Sequence, residues 1–531
     1  MKNLNNLLSW WWGESNNANA FNEQLILVFT FSILILAILW RNFRSSSFSN
    51  SSPSLPPSPF SFPIVGYLPF LSHNLHTQFT TMAHTYGPIF MFKLGSKPHV
   101  VINTPELAKA VVRDQDEVFS NRDQPIAALG ISYGGKDISF SNNNPNWRKL
   151  RKIFVHEMLS NKNLKASSFF RRDEVRKTVK NVFDRIGTAV NIHEIAVSTE
   201  TNILTRTIWE NTSNKGVKTT DLGAEMDTMT LNIVKIFGRL NLTDFFPSLA
   251  RFDLQGVERD IKIQVNKFDK LFTTIIEDRI ESNFKRSRDE MSYEGKKDFV
   301  QMLLDYKDEK DGASLSMTQM KALLLDVMIG GTETTTSTIE WAMASIMNNH
   351  NVMNKVQDEL AEIVGLNNMV EESHLPKLKY LNATIRETLR MYPVVPFLLP
   401  RSSSTSCTVG GYTIPKGCTI LLNVWSIHRD PRYWDNPLEF NPERFLIDKW
   451  DYNGNNLMYF PFGSGRRLCA GIPLAEKMLM YILASLLHSF NWSLPKGEDH
   501  DLTEIFGITL RKKKPLIAIP SQRLSDVSLY M

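Results

Sequence analysis

Residues 459–471 read Tyr459-Phe460-Pro461-Phe462-Gly463-Ser464-Gly465-Arg466-Arg467-Leu468-Cys469-Ala470-Gly471. One cysteine stands among glycines and two arginines, and the other two of the chain's 3 cysteines, Cys407 and Cys418, have no such setting. A thiolate needs a cation or a metal nearby to hold its charge. Zinc takes about four protein ligands, and no second Cys or His stands at CxxC or HxxxH spacing from Cys469. Haem iron accepts a single axial thiolate. The glycines let backbone N–H groups approach the sulfur, and Arg467 can pair with a haem propionate. The other reading is a buried structural cysteine, the common fate of a lone one. The spacing F-x-x-G-x-R-x-C-x-G weighs against it, because Phe462, Gly465, Arg467, Cys469 and Gly471 are fixed together.

The chain has 531 residues, 42% of them hydrophobic, enough for a sizeable core and more than one domain usually holds. Three widely spread cysteines make no disulfide framework, which points the body toward a reducing compartment. The net charge of +5 is a mild basic excess. It suits an acidic protein partner or a membrane surface, and no nucleic-acid partner is expected.

Residues 25–40 are uncharged and almost wholly apolar, and end in Trp40-Arg41-Asn42-Phe43-Arg44. As a helix they rise about 24 Å, slightly short of a ~30 Å hydrocarbon core, which snorkelling of Arg41 and Arg44 would complete. A cleavable signal peptide would want a basic n-region and small residues at its end, whereas this n-region carries Glu14 and Glu23. The expected organisation is a lumenal segment 1–24, a transmembrane signal anchor 25–40, a Ser/Pro-rich linker and hinge 41–66, and a body 67–531. The positive-inside rule puts that body in the cytosol.

Short apolar runs broken by Gly, Ser and Pro predict a small sheet over 89–102, with further strand-and-turn segments at 412–417 and 419–422. Helical patterns dominate between these regions. The charged stretch 285–297 reads as a solvated loop. Ser316-Met317-Thr318-Gln319 is a capping box opening a helix that runs to about Asn348. In its middle lies Ile329-Gly330-Gly331-Thr332-Glu333-Thr334-Thr335-Thr336, a poor helix former in which a kink is expected.

These motifs together resemble the cytochrome P-450 superfamily, the haem-thiolate monooxygenases, over nearly the whole chain, and are most similar to membrane-bound plant enzymes of specialised metabolism. The resemblance implies a mainly α fold with a small β region, and haem b held between a long distal helix and the Cys469 loop. Gly330, Gly331, Glu333 and Thr334 match the family's A/G-G-x-D/E-T pattern. This makes Thr334 the candidate oxygen-binding and proton-delivering residue and Glu333 its acid partner, since reducing O2 needs two protons. Trp147 and Arg151 match a W-x-x-x-R pair, spaced to share a helix face. With Arg401 and Arg467 they are the candidate propionate ligands, and Phe462 and Gly465 complete the cofactor-binding set. Glu387, Arg390 and Arg444, the last within Pro442-Glu443-Arg444-Phe445, match the family's structural triad.

By position, the resemblance places substrate contacts near 126–140, 231–246, the long helix before Gly330, 394–399 and 506–508. Residues 394–399 carry no ionisable group, which suits a small lipophilic substrate, a terpenoid before a flavonoid or other phenylpropanoid. No G-x-G-x-x-G follows a strand, so electrons are expected from another protein; the resemblance implies an NADPH–haemoprotein reductase in the same membrane, the endoplasmic reticulum, with Arg148, Lys149 and Lys152 as candidate contacts. Two other readings remain open here: a haem-thiolate isomerase or dehydratase needing no O2, and a non-catalytic haem sensor or electron carrier.

Overall fold

The computed structural model describes residues 29–36, 54–209, 219–288, 297–308, 312–447 and 449–531. It is mainly helical with small sheets, as the patterns predict. Residues 317–347 form one uninterrupted helix, Met317–Met347, and Ser316 and Gln319 make the reciprocal capping box read from the sequence. Around this long helix pack Ile192–Ile208, Ile472–Ser489, Lys379–Met391, Thr219–Phe237 and Val257–Arg288. Most of its residues are buried, because a helix surrounded on several sides needs apolar or small residues all round. One hydrophobic cluster runs from Ala127 to Tyr530 through it.

The predicted N-terminal sheet forms. Ile89–Leu94 pairs antiparallel with Lys97–Ile102, which pairs parallel with Thr419–Leu422. Arg401–Ser402 and Asn121–Arg122 complete this five-stranded sheet. Its far edge sets Arg122 directly opposite Arg401. A hairpin of Glu504–Ile505 and Arg511–Lys512 stands apart from it.

Both glycines of the predicted kink stay within the helix. A Cβ on Gly331 would lie 3.0 Å from Leu204 Cδ1, so this glycine lets Ile192–Ile208 approach closely, whereas a Cβ on Gly330 would meet nothing within 4 Å. Thr332, Thr334 and Thr338 each donate to the carbonyl four residues back, at 2.8 Å, a contact that bends helices slightly.

The transmembrane helix expected over 25–40 is described only at 29–36. These residues are helical with exposed apolar side chains, and eight residues rise only about 12 Å. Among the described residues no helix is long and apolar enough to cross a membrane. The segment 1–24 and most of the linker, 41–53, lie outside the described residues. So does most of the stretch read as a loop at 285–297, whose first residues instead extend the helix Val257–Arg288.

The charge network beneath the core forms as expected. Arg390 Nε and Nη2 donate to Glu387 at 2.7 and 2.8 Å, and Arg444 Nε lies 3.4 Å from Glu387 Oε1. Arg390 also donates to His428 O and Pro437 O, and Asn441 N donates to Glu387. Glu387 and Arg390 are wholly buried. Glu387→Ala would leave the Arg390 charge unpaired in the core, a cost of about 3–5 kcal/mol. The expected outcome is a large fall in melting temperature or loss of folded protein; wild-type melting would show that the network is dispensable.

Candidate functional site

The Cys469 loop is built by its glycines. Gly463 and Gly465 hold φ of +78° and +67°, and a Cβ on Gly465 would lie 2.1 Å from Val112 O. Gly465 is exposed and stands against Val112 and Asp116, so it docks the loop on the neighbouring segment and does not itself line the cavity. Phe462 does line it, and Phe462 O accepts from Cys469 N at 2.9 Å. Cys469 comes just before the helix Ile472–Ser489, and Gly471 N lies 3.3 Å from its sulfur. The sulfur is bare toward the cavity yet deep in the protein. Burial pushes its pKa up, opposed by the Gly471 N–H, Arg151 and the Ile472 N–H. The positive helix end and these N–H groups are what a thiolate requires.

Four arginines face the same cavity, whose volume is about 330 Å³: Arg122, Arg151, Arg401 and Arg467. Trp147 orients two of them. Its indole donates to Ile138 O at 3.0 Å, with Arg467 4.1 Å and Arg151 5.8 Å from the ring. Arg467 donates to Ser120 O at 2.7 Å and Ile138 O at 3.2 Å, and Arg151 donates to Leu468 O. Arg401 donates to Ser464 O at 2.7 Å and lies 3.3 Å from Asp116. Arg122, which sequence reasoning missed, donates to Leu399 O at 2.6 Å and Ser139 O at 3.0 Å. Nothing in its local sequence marks it; only the strand pairing with Arg401 brings it in.

The cluster is short of anions. Burial, then the neighbouring Arg401 and Arg151, push Arg467 down to about 9, against Asp137 and Asp116. Burial pushes Arg401 to about 10 despite Asp116, and burial with Arg467 and Arg401 pushes Arg122 well below its usual range. Like charges directly opposite on paired strands repel. A ligand bringing two carboxylates would relieve this, and a haem has two propionates. Among the described residues no group of three or more metal-ligating side chains occurs. A metal at Cys469 would therefore draw its remaining ligands from a cofactor, so the donor set fits an iron porphyrin.

Above the cysteine the wall is the long helix. Thr334 lines the cavity, with Oγ1 donating to Gly330 O at 2.8 Å. Glu333 also reaches the wall, but it is buried and pairs elsewhere: it accepts from Thr509 Oγ1 at 3.3 Å and Ser337 Oγ at 3.4 Å, and Arg511 Nε lies 3.5 Å away. Adjacent helix residues point about 100° apart, so the expected acid–hydroxyl partnership is not a direct contact. Burial raises the Glu333 pKa, opposed first by Arg511 and then by His193.

The expected substrate segments meet here. Ile138, Phe140, Val234, Phe237, Val327, Val394, Val395, Leu398 and Ile508 line the cavity, and Leu204 joins them from the Ile192–Ile208 helix. Phe506 instead packs on His76 and Phe397. Asp326 on the long helix accepts from Ile138 N at 2.7 Å and Ser139 Oγ at 2.6 Å, and burial beside Asp137 pushes its pKa well up.

The family model described as cytochrome P450 matches residues 56–519. Flavonoid 3',5'-hydroxylase of Solanum melongena is 37% identical over 479 residues, covering 89% of this chain and 91% of that protein. Geraniol 8-hydroxylase of Catharanthus roseus is 36% identical over 506 residues, covering 94% of this chain and 99% of that protein. A solved zebra fish cytochrome P450 structure with abiraterone superposes with a TM-score of 0.69 at 25% identity, covering 84% of this chain and 99% of that one.

Cys469→Ser is expected to remove the Soret band of a thiolate-bound ferrous–CO complex. A variant that kept that band would exclude Cys469 as the ligand.

Proposed function

We propose a function from the premise that this chain belongs to the cytochrome P450 family: it is an oxidoreductase, a monooxygenase whose cofactor is haem b, and it uses O2, a lipophilic substrate and a redox partner. We infer that it hydroxylates a small terpenoid, with flavonoids the next class. The observation that carries the cofactor side of this reading is the anion-poor arginine cluster and the bare Cys469 sulfur around one cavity.

A thiolate-bound haem would supply the O2-activating chemistry, in which one oxygen atom goes to the substrate and the other, with two electrons and two protons, leaves as water. Cys469 would hold the haem iron through its sulfur in this reading. Arg122, Arg151, Arg401 and Arg467 hold the propionates, with Trp147 keeping two of the guanidinium groups in place. Phe462 walls the thiolate side. Thr334, whose hydroxyl hydrogen rests on Gly330 O, presents its oxygen lone pairs to the cavity and passes protons there. Glu333 supplies them through water, because its own partners are Thr509 and Arg511.

The substrate preference follows from what the wall has left to offer. Asp326 is taken up by Ile138 N and Ser139 Oγ, and its raised pKa favours the neutral acid. Glu333 is met by Arg511. No free carboxylate therefore remains on those two positions for an ammonium substrate. The hydroxyls of Ser139, Thr334, Thr338 and Thr509 already donate within the protein, which leaves few donors for a polyphenol. An apolar skeleton with few polar groups fits best.

Electrons come from an NADPH–haemoprotein reductase. Arg148 and Lys152 are exposed on the helix Pro145–Ile153 and suit its acidic face, whereas Lys149 turns inward to Asp308 at 3.0 Å. The chain is a single-pass endoplasmic reticulum protein held by 25–40, its body on the cytosolic side. Exposed apolar side chains on the body suit a second contact with the same membrane. Exposed Phe60, Phe62 and Phe70 pack together, and exposed Leu242, Phe252 and Leu254 lie near Phe245, whose carbonyl accepts from Ser96 N beside the first strand pair. Lone apolar side chains are ordinary on a surface, but grouped ones mark an interface.

Spectral titration of the holoprotein with terpenoid and flavonoid panels, followed by NADPH-driven turnover, tests the substrate reading; turnover of flavonoids alone would overturn it. Thr334→Ala should keep the haem spectrum, lower product formation by up to about 100-fold and raise hydrogen peroxide. Unchanged yields of product and peroxide would remove Thr334 from proton delivery. Full-length protein should stay in the pellet after an alkaline wash, and protein lacking 1–44 should bind membranes more weakly. Recovery of the full-length chain in the supernatant would exclude the anchor.

A further inference from the structure

The acid on the long helix has partners that belong to a different part of the chain. Thr509 and Arg511 come from the C-terminal hairpin, whose turn also lines the cavity through Ile508 and Thr509. Other contacts fasten this hairpin to the helix and to the 394–399 segment. Trp341 Nε1 donates to Leu510 O at 3.1 Å, Leu510 N donates to Val394 O at 2.7 Å, and Lys512 lies 5.3 Å from the Trp341 ring.

Seven residues on from Glu333, Glu340 occupies nearly the same helix face. It accepts from Leu516 N at 2.8 Å and lies 3.1 Å from His193 Nδ1. Two acids on that face thus meet two hairpin cations, Arg511 and Lys512, and His193 from the helix Ile192–Ile208. Among these groups only Arg511 has a charged atom within 4.0 Å of Glu333 among the ion pairs of the described residues.

The geometry points to Arg511 as a positioning residue that holds the Glu333 carboxyl on the hairpin side of the long helix and forms the solvent end of its proton path. The Glu333 side chain is 2% exposed and that of Arg511 31%, so Arg511 spans from the acid to water. At 3.5 Å the contact is an ion pair and not a tight hydrogen bond. The carboxylate is stabilised without being clamped, and it can still take up and release a proton. A relay acid has to change charge near the working pH. Burial alone drives a carboxyl toward the permanently neutral form, and a cation beside it brings the midpoint back down.

The catalytic consequence rests on the reading of Glu333 as a relay acid, but the ion pair can be tested apart from it. In the holoprotein, pH-dependent difference infrared spectroscopy follows the protonated-carboxyl band of Glu333, assigned by its loss in Glu333→Gln. Arg511→Gln removes the charge and keeps the length, so the midpoint should rise by about one pH unit. Arg511→Lys should return it toward the wild-type value. Thr509→Val removes one hydrogen bond to the ionised form and should raise it by a smaller step. An unchanged midpoint in the folded Arg511→Gln protein, or in Arg511→Met where Arg511→Gln does not fold, overturns the inference. If instead the midpoint moves while Glu333→Gln leaves peroxide yield unchanged, the positioning role stands and the relay reading of Glu333 falls.

Discussion

The constraint on which the rest of this structure depends is electrostatic. Four arginines and a thiol surround one cavity, and among the described residues Asp137 and Asp116 are the acids that offset the Arg467 charge. Taking such charges out of water costs several kcal/mol each unless they are paired. The backbone meets part of that cost, since Leu399, Ser464, Ser120, Ile138 and Leu468 all turn carbonyls toward guanidinium groups. The remainder is left for a dianionic cofactor. Strand edge, loop and helix are all placed so that these carbonyls converge.

The long helix is the second organising element, and it serves each neighbour with a different face. Gly331 lies against Leu204, Gly330 leaves open space, and Thr334 reaches the cavity. Glu333 and Glu340 meet the C-terminal strands, while Asp326 fastens the segment at 138–139. Because an α-helix turns 100° per residue, consecutive residues serve different layers. That is why an acid and a hydroxyl adjacent in sequence work on different partners here. The Glu387–Arg390–Arg444 network plays the matching part below, with Arg390 holding carbonyls of the chain that precedes the cysteine loop.

What the sequence by itself determined is local. The capping box at Ser316, the helical spacing of Trp147 and Arg151, and the glycine pattern around Cys469 each lie within one element. Backbone geometry ties their residues together whatever surrounds them, so their local arrangement could be read from spacing. The small sheet over 89–102 was legible for the same reason. Tertiary structure alone decided the rest. Arg122 enters the site because a strand edge sets it opposite Arg401. Asp326 is occupied because a distant loop offers Ile138 N and Ser139 Oγ. Gly465 turns out to seat the loop against Val112, and Glu333 finds Arg511 from the far end of the chain. Pairings between elements far apart in sequence depend on how whole surfaces pack, and no local spacing encodes which buried charge will meet which.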